Sequence, residues 1–389
     1  MRFSGYEGSW NKVALCEVAN IIGGGTPDTS NPLYWNGDID WFTPTEVGES
    51  KYVNESKRKI TYAGFKGSSA KLLPRGSILL STRASVGLAS ITTNPQEVTT
   101  NQGFQSVVPK RVEDSEFLYY VISNQNTQRE LKKKANGSTF PEISNSEVSS
   151  IIVSLPPDPK ERFEISRFLA TIDQRIQLQN KIIRDLESQI VAINNRFFDS
   201  LQSVALFHDL YEYAGEGGTP DTKERDYYEP QEIPFIKIEN LYEKYLRSHS
   251  AHISEIGLRN SSAWLVPAQC VLLSNGATIG ECTITTYPVC TKQGILGIVP
   301  SSQTSAEFLY LLFKSRCFKR KLRCITTKGT MDAVYLKDMN QMIVPFCNQK
   351  EQQRHIGAMK PFEEKLEMEK RLLFCLKKEK EYLLRNLFI

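Results

Sequence analysis

The hexapeptide GGTPDT occurs twice in the chain, at residues 24–29 and at residues 217–222, and this long-range repetition constrains the fold more than any other feature. The match continues beyond the hexapeptide: LPRGSILLSTRASVG at 73–87 aligns with VPAQCVLLSNGATIG at 266–280 at the same offset of 193 residues. A period of that length is much longer than the repeats of solenoid proteins. The chain is therefore predicted to contain two copies of one domain, and duplicated domains usually pack about a pseudo-twofold axis.

Each copy contains short apolar runs that are typical of strands, together with a helical segment. In the first copy the runs are IDWFTP, SILLS, GLASITT and FQSVVP, and a single helix is predicted at about 114–135. Short strands mixed with one or two helices predict an α+β domain. Gly24 and Gly25 of the hexapeptide are expected to form a sharp bend, because glycine tolerates positive φ.

Two long segments with heptad spacing follow the two copies. Residues 159–201 contain no glycine, and their apolar residues recur at heptad spacing with a polar gap at Gln179. The pattern returns near 348–388, where Glu369 occupies the corresponding position. Such segments predict long helices with narrow apolar seams that must pair, and pseudo-twofold symmetry would make the pair antiparallel. A coiled coil that dimerises the chain with itself is the alternative.

Composition excludes several classes of protein. The 389 residues carry a formal net charge of +4, and basic and acidic side chains nearly balance within each copy, so non-specific coating of nucleic acid is not expected. No apolar run approaches the roughly 20 residues that cross a bilayer, and the N-terminal residues lack the apolar region of a signal peptide. The eight cysteines include no CxxC pair. These features predict a cytoplasmic protein with reduced thiols, no membrane association and no metal site.

Basic side chains cluster at one place in both copies. In the first copy they precede NGSTF, and in the second no acidic residue interrupts 313–330, which ends in KGT. Recurrence beside a Gly/Thr turn predicts contacts with nucleic-acid phosphates. A solvated helix face is the alternative.

The two copies also differ at the ends of their strands. STRASVG becomes SNGATIG, so that Gly276 replaces Arg83, and WFTPTEV aligns with PFIKIEN, which pairs Thr43 with Ile236. A retained scaffold with exchanged loop side chains is expected of two domains that recognise different targets. Drift after duplication is the alternative.

Motifs for catalysis are missing from the sequence. It contains no GxxxxGK[ST] phosphate loop and no GxGxxG that opens a helix after a strand. NPLYW at 31–35 matches the Asn-Pro-Pro-aromatic motif of amino-methyltransferases only in part, and its partner in the second copy has neither Asn nor Pro. The chain is predicted to have no catalytic residues and no cofactor.

In their order, these segments resemble the specificity subunits of type I restriction–modification systems. The resemblance covers essentially the whole chain, and it is carried by GGTPDT with the following YW and WFTP, GSILLSTRASVG and CVLLSNGATIG, TNQGF and TKQGI, NGSTFPEIS, the IIVSLPP that leads into a heptad helix, and the opening RFSGYEGSW. The second copy departs from the pattern in GTMDAVYL and VPFCNQKEQQ, which weakens the assignment of individual contacts there.

The resemblance implies a fold and a division of labour. Two target-recognition domains, joined by two long antiparallel coiled-coil helices, each recognise one half of a split sequence in double-stranded DNA, and the helices set the spacer. Modification subunits that dock on the chain supply S-adenosylmethionine and adenine methylation, and restriction subunits supply ATP-dependent translocation and cleavage. The implied parts are a first recognition domain at 1–155, a central helix at 156–201, a second recognition domain at 202–346 and a C-terminal helix at 347–389.

Loop residues near the strand ends, together with basic residues of the two clusters, are the candidates for DNA contact. In the first domain they are Thr26, Thr43, Arg83, Ser85, Gln102, Arg129, Lys132, Lys133 and Thr139. In the second domain they are Thr219, Lys237, Asn275, Thr278, Lys292, Arg320, Arg323, Lys328 and Thr330. The threonines shared by both copies can instead cap turns, so the positions that differ between copies are the better candidates for discrimination.

Two other functions remain open at this point. One is a coiled-coil adaptor that does not contact DNA, and the other is the recognition half of a fused methyltransferase. The sequence does not specify the bases of either half-site, the spacer length, which residues contact bases and which contact phosphates, or the presence of restriction subunits.

Overall fold

The computed structural model describes residues 5–135, 141–276, 278–327 and 333–388. These form two compact units, one comprising Met1–Asn180 with Leu372–Ile389 and the other Lys181–Arg371. Among the described residues, no helix combines the length and the apolar character needed to span a bilayer.

The first unit contains ten strands and five short helices in its described residues, before a long helix. The strands are β1 (Asn11–Ala14), β2 (Ala19–Gly23), β3 (Trp35–Phe42), β4 (Tyr52–Val53), β5 (Lys59–Ile60), β6 (Ile78–Leu80), β7 (Ala89–Thr92), β8 (Thr99–Thr100), β9 (Gln105–Pro109) and β10 (Ile152–Leu155). The helices are α1 (Leu15–Val18), α2 (Tyr62–Lys66), α3 (Ser115–Ser123), α4 (Gln125–Lys134), α5 (Asn145–Ser149) and the long α6 (Pro159–Ser200), whose residues after Asn180 belong to the second unit.

The second unit repeats this series. Its strands are β11 (Val204–Leu206), β12 (Tyr211–Glu216), β13 (Ile233–Ile236), β14 (His252–Ile253), β15 (Val271–Ser274), β16 (Cys282–Ile284), β17 (Cys290–Thr291), β18 (Ile295–Pro300) and β19 (Ile343–Pro345). Its helices are α7 (Glu255–Arg259), α8 (Ala306–Lys314), α9 (Arg316–Ile325), α10 (Leu336–Met339) and α11 (Gln349–Leu387), whose residues from Leu372 onward belong to the first unit.

The sheets of the two units correspond, except that an isolated bridge between Tyr245 and Ile284 takes the place of β4 among the described residues of the second unit. The first unit has a sheet of order β2-β9-β6-β7-β4, a sheet of order β5-β3-β8 and a β1-β10 pair. The second has β12-β18-β15-β16, β14-β13-β17 and a β11-β19 pair. The duplication and the α+β class predicted from the sequence are therefore confirmed.

In each main sheet an inner strand is buried on both faces. Successive side chains of a strand point to opposite faces, so each face of this strand packs against a different apolar cluster. In β6, Ile78 and Leu80 belong to the apolar cluster beneath α3, whereas Leu79 belongs to a cluster on the other face. In β15, Leu273 and Leu272 divide in the same way between two clusters. Each unit thus has one core between sheet and helices and a second core beneath its smaller sheet.

The segment predicted as one helix at about 114–135 forms two helices, α3 and α4. The chain leaves helical geometry at Asn124, whose side chain accepts a hydrogen bond from the backbone N–H of Asn126 and so caps α4. In the second unit Ser315 caps α9 in the same manner. A capping side chain offers the backbone a partner outside the helix, and this local competition interrupts an otherwise continuous helical pattern.

The predicted long helices are present, and their seams pair within each unit. In the second unit Glu187 pairs with Lys370 at 2.7 Å, and Asn194 Oδ1 lies 3.1 Å from His355 Nε2. One residue number rises while the other falls, so α6 and α11 run antiparallel there. In the first unit, Lys380 of α11 forms an ion pair of 2.6 Å with Asp173 of α6.

Candidate nucleic-acid interface

In each unit, four loops at the strand ends meet and form what we call the loop cluster. In the first unit it comprises residues 24–29, 43–46, 81–87 and 101–103. Three backbone hydrogen bonds join these loops: Gly25 N to Thr100 O at 2.8 Å, Asn101 N to Phe42 O at 3.0 Å, and Thr82 N to Gly103 O at 2.8 Å. In the second unit the equivalent bonds include Lys292 N to Ile236 O at 2.9 Å and Asn275 N to Gly294 O at 3.0 Å.

The glycines of GGTPDT serve close packing, and the expectation that they adopt positive φ is wrong. Neither Gly24 nor Gly25 lies in the left-handed region. A Cβ on Gly25 would instead lie 2.3 Å from the backbone nitrogen of Ala70, and a Cβ on Gly218 would lie 2.3 Å from that of Ala263. Any side chain would force the backbones apart, so the turn requires glycine for space.

Aromatic side chains donate hydrogen bonds to backbone carbonyl groups of this turn. Trp41 Nε1 donates to the carbonyl oxygen of Gly25 at 2.8 Å, and Trp35 Nε1 donates to that of Asp28 at 3.1 Å. In the second unit Tyr228 donates its hydroxyl to the carbonyl of Pro220 at 2.7 Å. The turn is therefore held rigidly against each domain, which is what a surface for shape-specific recognition needs.

The structure corrects the alignment of one loop. The sequence offset of 193 pairs Thr43 with Ile236, but β3 ends one residue before Thr43 and β13 ends one residue before Lys237. Thr43 and Lys237 also cap equivalent turns: Thr43 N donates to Glu46 at 2.8 Å and Lys237 N donates to Asn240 at 3.0 Å. Thr43 is therefore equivalent to Lys237, and the earlier pairing is wrong by one residue.

The first loop cluster brings several of the candidate side chains together. Thr26 donates its hydroxyl to Gln102 Oε1, and Arg83 pairs with Glu142 at 2.6 Å. Ser85 lies exposed on the same loop as Arg83. The hydroxyl of Thr43 donates to Glu46 at 2.6 Å, which engages this side chain within the turn.

The second loop cluster has a different set of side chains on the same backbone. Thr219 Oγ1 accepts from the backbone N–H of Gln293 at 3.4 Å, and Lys292 is exposed beside it. Thr278 is exposed, whereas Asn275 is buried and donates through Nδ2 to Val334 O at 3.1 Å. Asn275 thus ties its loop to the segment that follows α9.

The basic residues lie on α4 and α9, which adjoin the loop cluster. Gln128 of α4 donates to the carbonyl of Gly87 at 2.9 Å and so joins this helix to loop 81–87. The candidate cations on these helices are exposed: Arg129, Lys132, Lys133, Arg320 and Arg323. Lys133 pairs with Glu130 at 2.8 Å. Thr139, Lys328 and Thr330 lie outside the described residues.

Part of the second basic run is engaged in internal ion pairs. Lys314 pairs with Glu281 at 3.0 Å and Arg316 pairs with Asp199 at 2.8 Å. These two ion pairs link α8 and α9 to neighbouring elements of the unit. The accessible positive charge of this segment is therefore concentrated farther along α9.

A buried polar network that the sequence reasoning missed anchors each domain to the long helices of its own unit. Lys51 donates to Glu116 at 2.8 Å and to the hydroxyl of Tyr120 at 2.9 Å, and Tyr120 donates to Asp173 of α6 at 2.6 Å. Burial lowers the pKa of Lys51, and the neighbouring Glu116 opposes this shift. In the second unit Lys244 pairs with Glu363 of α11 at 2.6 Å. The dipeptide KY occurs at 51–52 and at 244–245, at the offset of 193. This recurrence is the feature of the sequence that could have indicated the network.

The cysteines are free thiols, and four of the eight are buried. Burial raises the pKa of Cys270, Cys282 and Cys347 to about 11 and that of Cys290 to about 12, so these thiols stay protonated near neutral pH. Within the described ranges, no group of three or more His, Cys, Asp or Glu side chains is arranged to hold a metal ion.

Two copies of one domain, each with a hydrogen-bonded loop cluster that carries its own side chains and each anchored to paired helices, are typical of a protein with two recognition domains. A profile of the family described as "Type I restriction modification DNA specificity domain" matches residues 7–188 and 206–378. The chain belongs to this family, as a specificity subunit of a type I restriction–modification system with two recognition domains.

Individual relatives agree with this assignment. The MjaIX specificity subunit of Methanocaldococcus jannaschii is 27% identical over 406 residues, which cover 97% of this chain and 92% of the relative. The HindI specificity subunit of Haemophilus influenzae is 28% identical over 183 residues, or 46% of this chain and 39% of the relative.

Solved structures show the same fold at low identity. The type I S subunit from M. genitalium superposes with a TM-score of 0.55 at 13% identity and covers 100% of this chain and 97% of its own. A chain from a study of assembly and conformational transition of the type I R-M system gives a TM-score of 0.62 at 16% identity, with coverage of 99% and 100%.

Proposed function

We propose that the protein selects the DNA on which a type I restriction–modification complex acts, with each recognition domain binding one half of a bipartite target. The observation that carries the proposal is a repeated scaffold with exchanged surface side chains. The loop clusters keep equivalent backbone hydrogen bonds, whereas Arg83 and Ser85 are replaced by Gly276 and Thr278. Two domains that recognise different base sequences need this combination, because specificity depends on a few side chains at base edges.

Within each domain we assign phosphate contacts to the basic helices and base contacts to the loop cluster. Exposed cations such as Arg129 on α4 and Arg323 on α9 suit the DNA backbone, which holds a protein in register without identifying bases. The loop cluster is joined to α4 through Gln128, so phosphate binding would place the loops against the duplex.

The paired helices are proposed to fix the spacer between the two half-sites and to dock modification subunits. In this proposal the recognition domains are residues 1–155 and 202–346. The helices are residues 156–201 and 347–389. Methylation and ATP-dependent cleavage would then be carried out by modification and restriction subunits, and this chain would contribute no catalytic residue and no cofactor.

Insertion of one heptad into both long helices tests the proposed function. The insertions belong after Gln179 and after Glu369, which occupy corresponding seam positions, so that the antiparallel pairing keeps its register. Seven helical residues add roughly 10 Å, which corresponds to about 3 base pairs of DNA. We expect the spacer of the methylated motif to change by about that amount while both half-sites persist.

A same-length replacement of seven exposed helix residues is the control for this experiment, and it should leave the motif as it is. Altered half-sites with an unaltered spacer would refute the assignment of spacing to the helices.

A further inference from the structure

An ion pair joins Arg83 of the first loop cluster to Glu142, and it has no counterpart among the described residues of the second unit's loop cluster. The amino group of Arg83 lies 2.6 Å from Glu142 Oε1, and the two residues also face each other in a short antiparallel bridge. The side chains are 44% and 47% exposed, so the pair is accessible from solvent.

Equivalent backbone contacts identify the residues that replace this pair. Ile143 N donates to Thr82 O at 3.0 Å in the first unit, and Val334 N donates to Asn275 O at 3.0 Å in the second. The residues next to these contacts are Arg83 and Glu142 in the first unit and Gly276 and Ala333 in the second. The second domain has therefore replaced both charged partners by residues with no polar side chain.

The ion pair contributes little to the stability of the loop. Exposed ion pairs contribute about 0–1 kcal/mol to stability. The loop is already held by backbone hydrogen bonds to the 141–143 segment, including Ala84 N to Pro141 O at 3.2 Å. Ala84 has φ of +62°, a conformation that costs free energy for a residue other than glycine. The backbone of the loop therefore places Arg83 beside Glu142, and the ion pair orients its guanidinium group.

We propose that Arg83 and Glu142 together recognise one G·C base pair of the half-site bound by the first domain. Gly276 and Ala333 make no base-specific contact at the equivalent position of the other half-site. This inference rests on the proposed function. A guanidinium donates to guanine O6 and N7 in the major groove, and a carboxylate accepts from cytosine N4. Glu142 engages one amino group of Arg83, which leaves the other N–H groups to face the base.

The test is a comparison of base frequencies at each position of the methylated motif. The variants are Arg83→Ala, Glu142→Gln and the double transplant Gly276→Arg/Ala333→Glu, and each complex contains the same modification subunit. Arg75→Ala, an exposed arginine outside the loop cluster, is the matched control.

Arg83→Ala should reduce discrimination for G·C at one position of one half-site by roughly ten- to a hundredfold, with the other half-site unchanged. Glu142→Gln should weaken preference at that same position to a smaller degree. The double transplant should add a G·C preference to the second half-site, and Arg75→Ala should leave the motif unchanged.

Three results separate the inference from the proposed function. A wild-type complex with no bipartite motif would overturn the proposed function itself. A wild-type bipartite motif that Arg83→Ala leaves unchanged at every position, in a variant with the wild-type melting temperature, would overturn only the inference. Methylation that is weaker at all sites, with the same base preference at every position, would make Arg83 a phosphate contact and would equally overturn the inference.

Discussion

His355 makes the stability of the second unit depend on pH. Its imidazole is 5% exposed in the seam of α11, stacks on Phe197 with ring centroids 3.8 Å apart, and lies 3.1 Å from Asn194 Oδ1. Burial lowers the pKa of His355 to about 4. The folded unit therefore keeps this side chain neutral at pH values where a histidine in an unfolded chain takes up a proton.

The size of the effect follows from proton linkage. An unfolded histidine has a pKa of about 6.5. Because the folded value is lower, the unfolded state binds more protons between the two values. The stabilisation is fully present above about pH 6.5 and is lost as the pH falls toward 4. Between pH 7 and pH 5 this histidine alone should lower the free energy of unfolding by about 2 kcal/mol.

A double variant, His355→Ile/Asn194→Leu, isolates this contribution. It introduces the residues found at the corresponding seam positions of the first unit, Ile165 and Leu384, and it removes the Asn194 Oδ1 that would otherwise lose its partner. The variant also removes the bond of 2.8 Å from Asn194 Nδ2 to the carbonyl of Leu311, and this loss is the same at both pH values. Urea unfolding of both proteins at pH 7 and pH 5 gives the comparison. The wild type should lose about 2 kcal/mol more than the variant on acidification.

His355→Gln is the conservative control, because glutamine can still donate to Asn194 but does not titrate. It should behave like the double variant in its pH dependence. Equal losses of stability in the wild type and both variants would refute the claim that a neutral, buried His355 is responsible.

Three further predictions concern packing in the two units. Gly25→Ala should destabilise the first unit by about 3 kcal/mol in urea unfolding, because the new Cβ would lie 2.3 Å from a backbone nitrogen; wild-type stability would contradict this. Lys51→Met should cost the same unit about 2 kcal/mol, since it leaves the hydroxyl of Tyr120 without its lysine partner, whereas Lys71→Met at an exposed position should change stability by under about 0.5 kcal/mol. Gly357→Ala, at an exposed position of α11 with no atom within 4 Å of the new Cβ, should raise stability by about 1 kcal/mol, and a lower melting temperature would contradict this.

The repeated sequence made much of the fold predictable. The offsets between copies indicate which strands correspond. Apolar runs such as SILLS form central strands, where side chains on both faces of the sheet are buried. The heptad pattern predicted the long helices. It missed the start of the seam in α11, where Gln352 and His355 are buried polar residues. Periodicity of apolar residues cannot reveal such positions, because their burial depends on hydrogen-bond partners elsewhere in the unit.

The candidate site was less predictable, because its contacts join residues far apart in sequence. Arg83 and Glu142 are 59 positions apart, and only the folded loop cluster brings them together. Lys51 is charged and was not expected in a core, yet Glu116 and Tyr120 satisfy its ammonium group there. Gly25 was recognised as special for the wrong reason, since the close approach of Ala70 is a tertiary contact.

The most direct test of the proposed function is a map of N6-methyladenine in DNA from cells that express this chain together with a cognate modification subunit. Cells that express the modification subunit alone provide the control. A split motif that appears only when this chain is present, with two different half-sites separated by a fixed spacer, is the predicted result. A soluble, stable complex that produces no such motif would contradict sequence recognition by the two domains and would favour an adaptor that does not contact DNA.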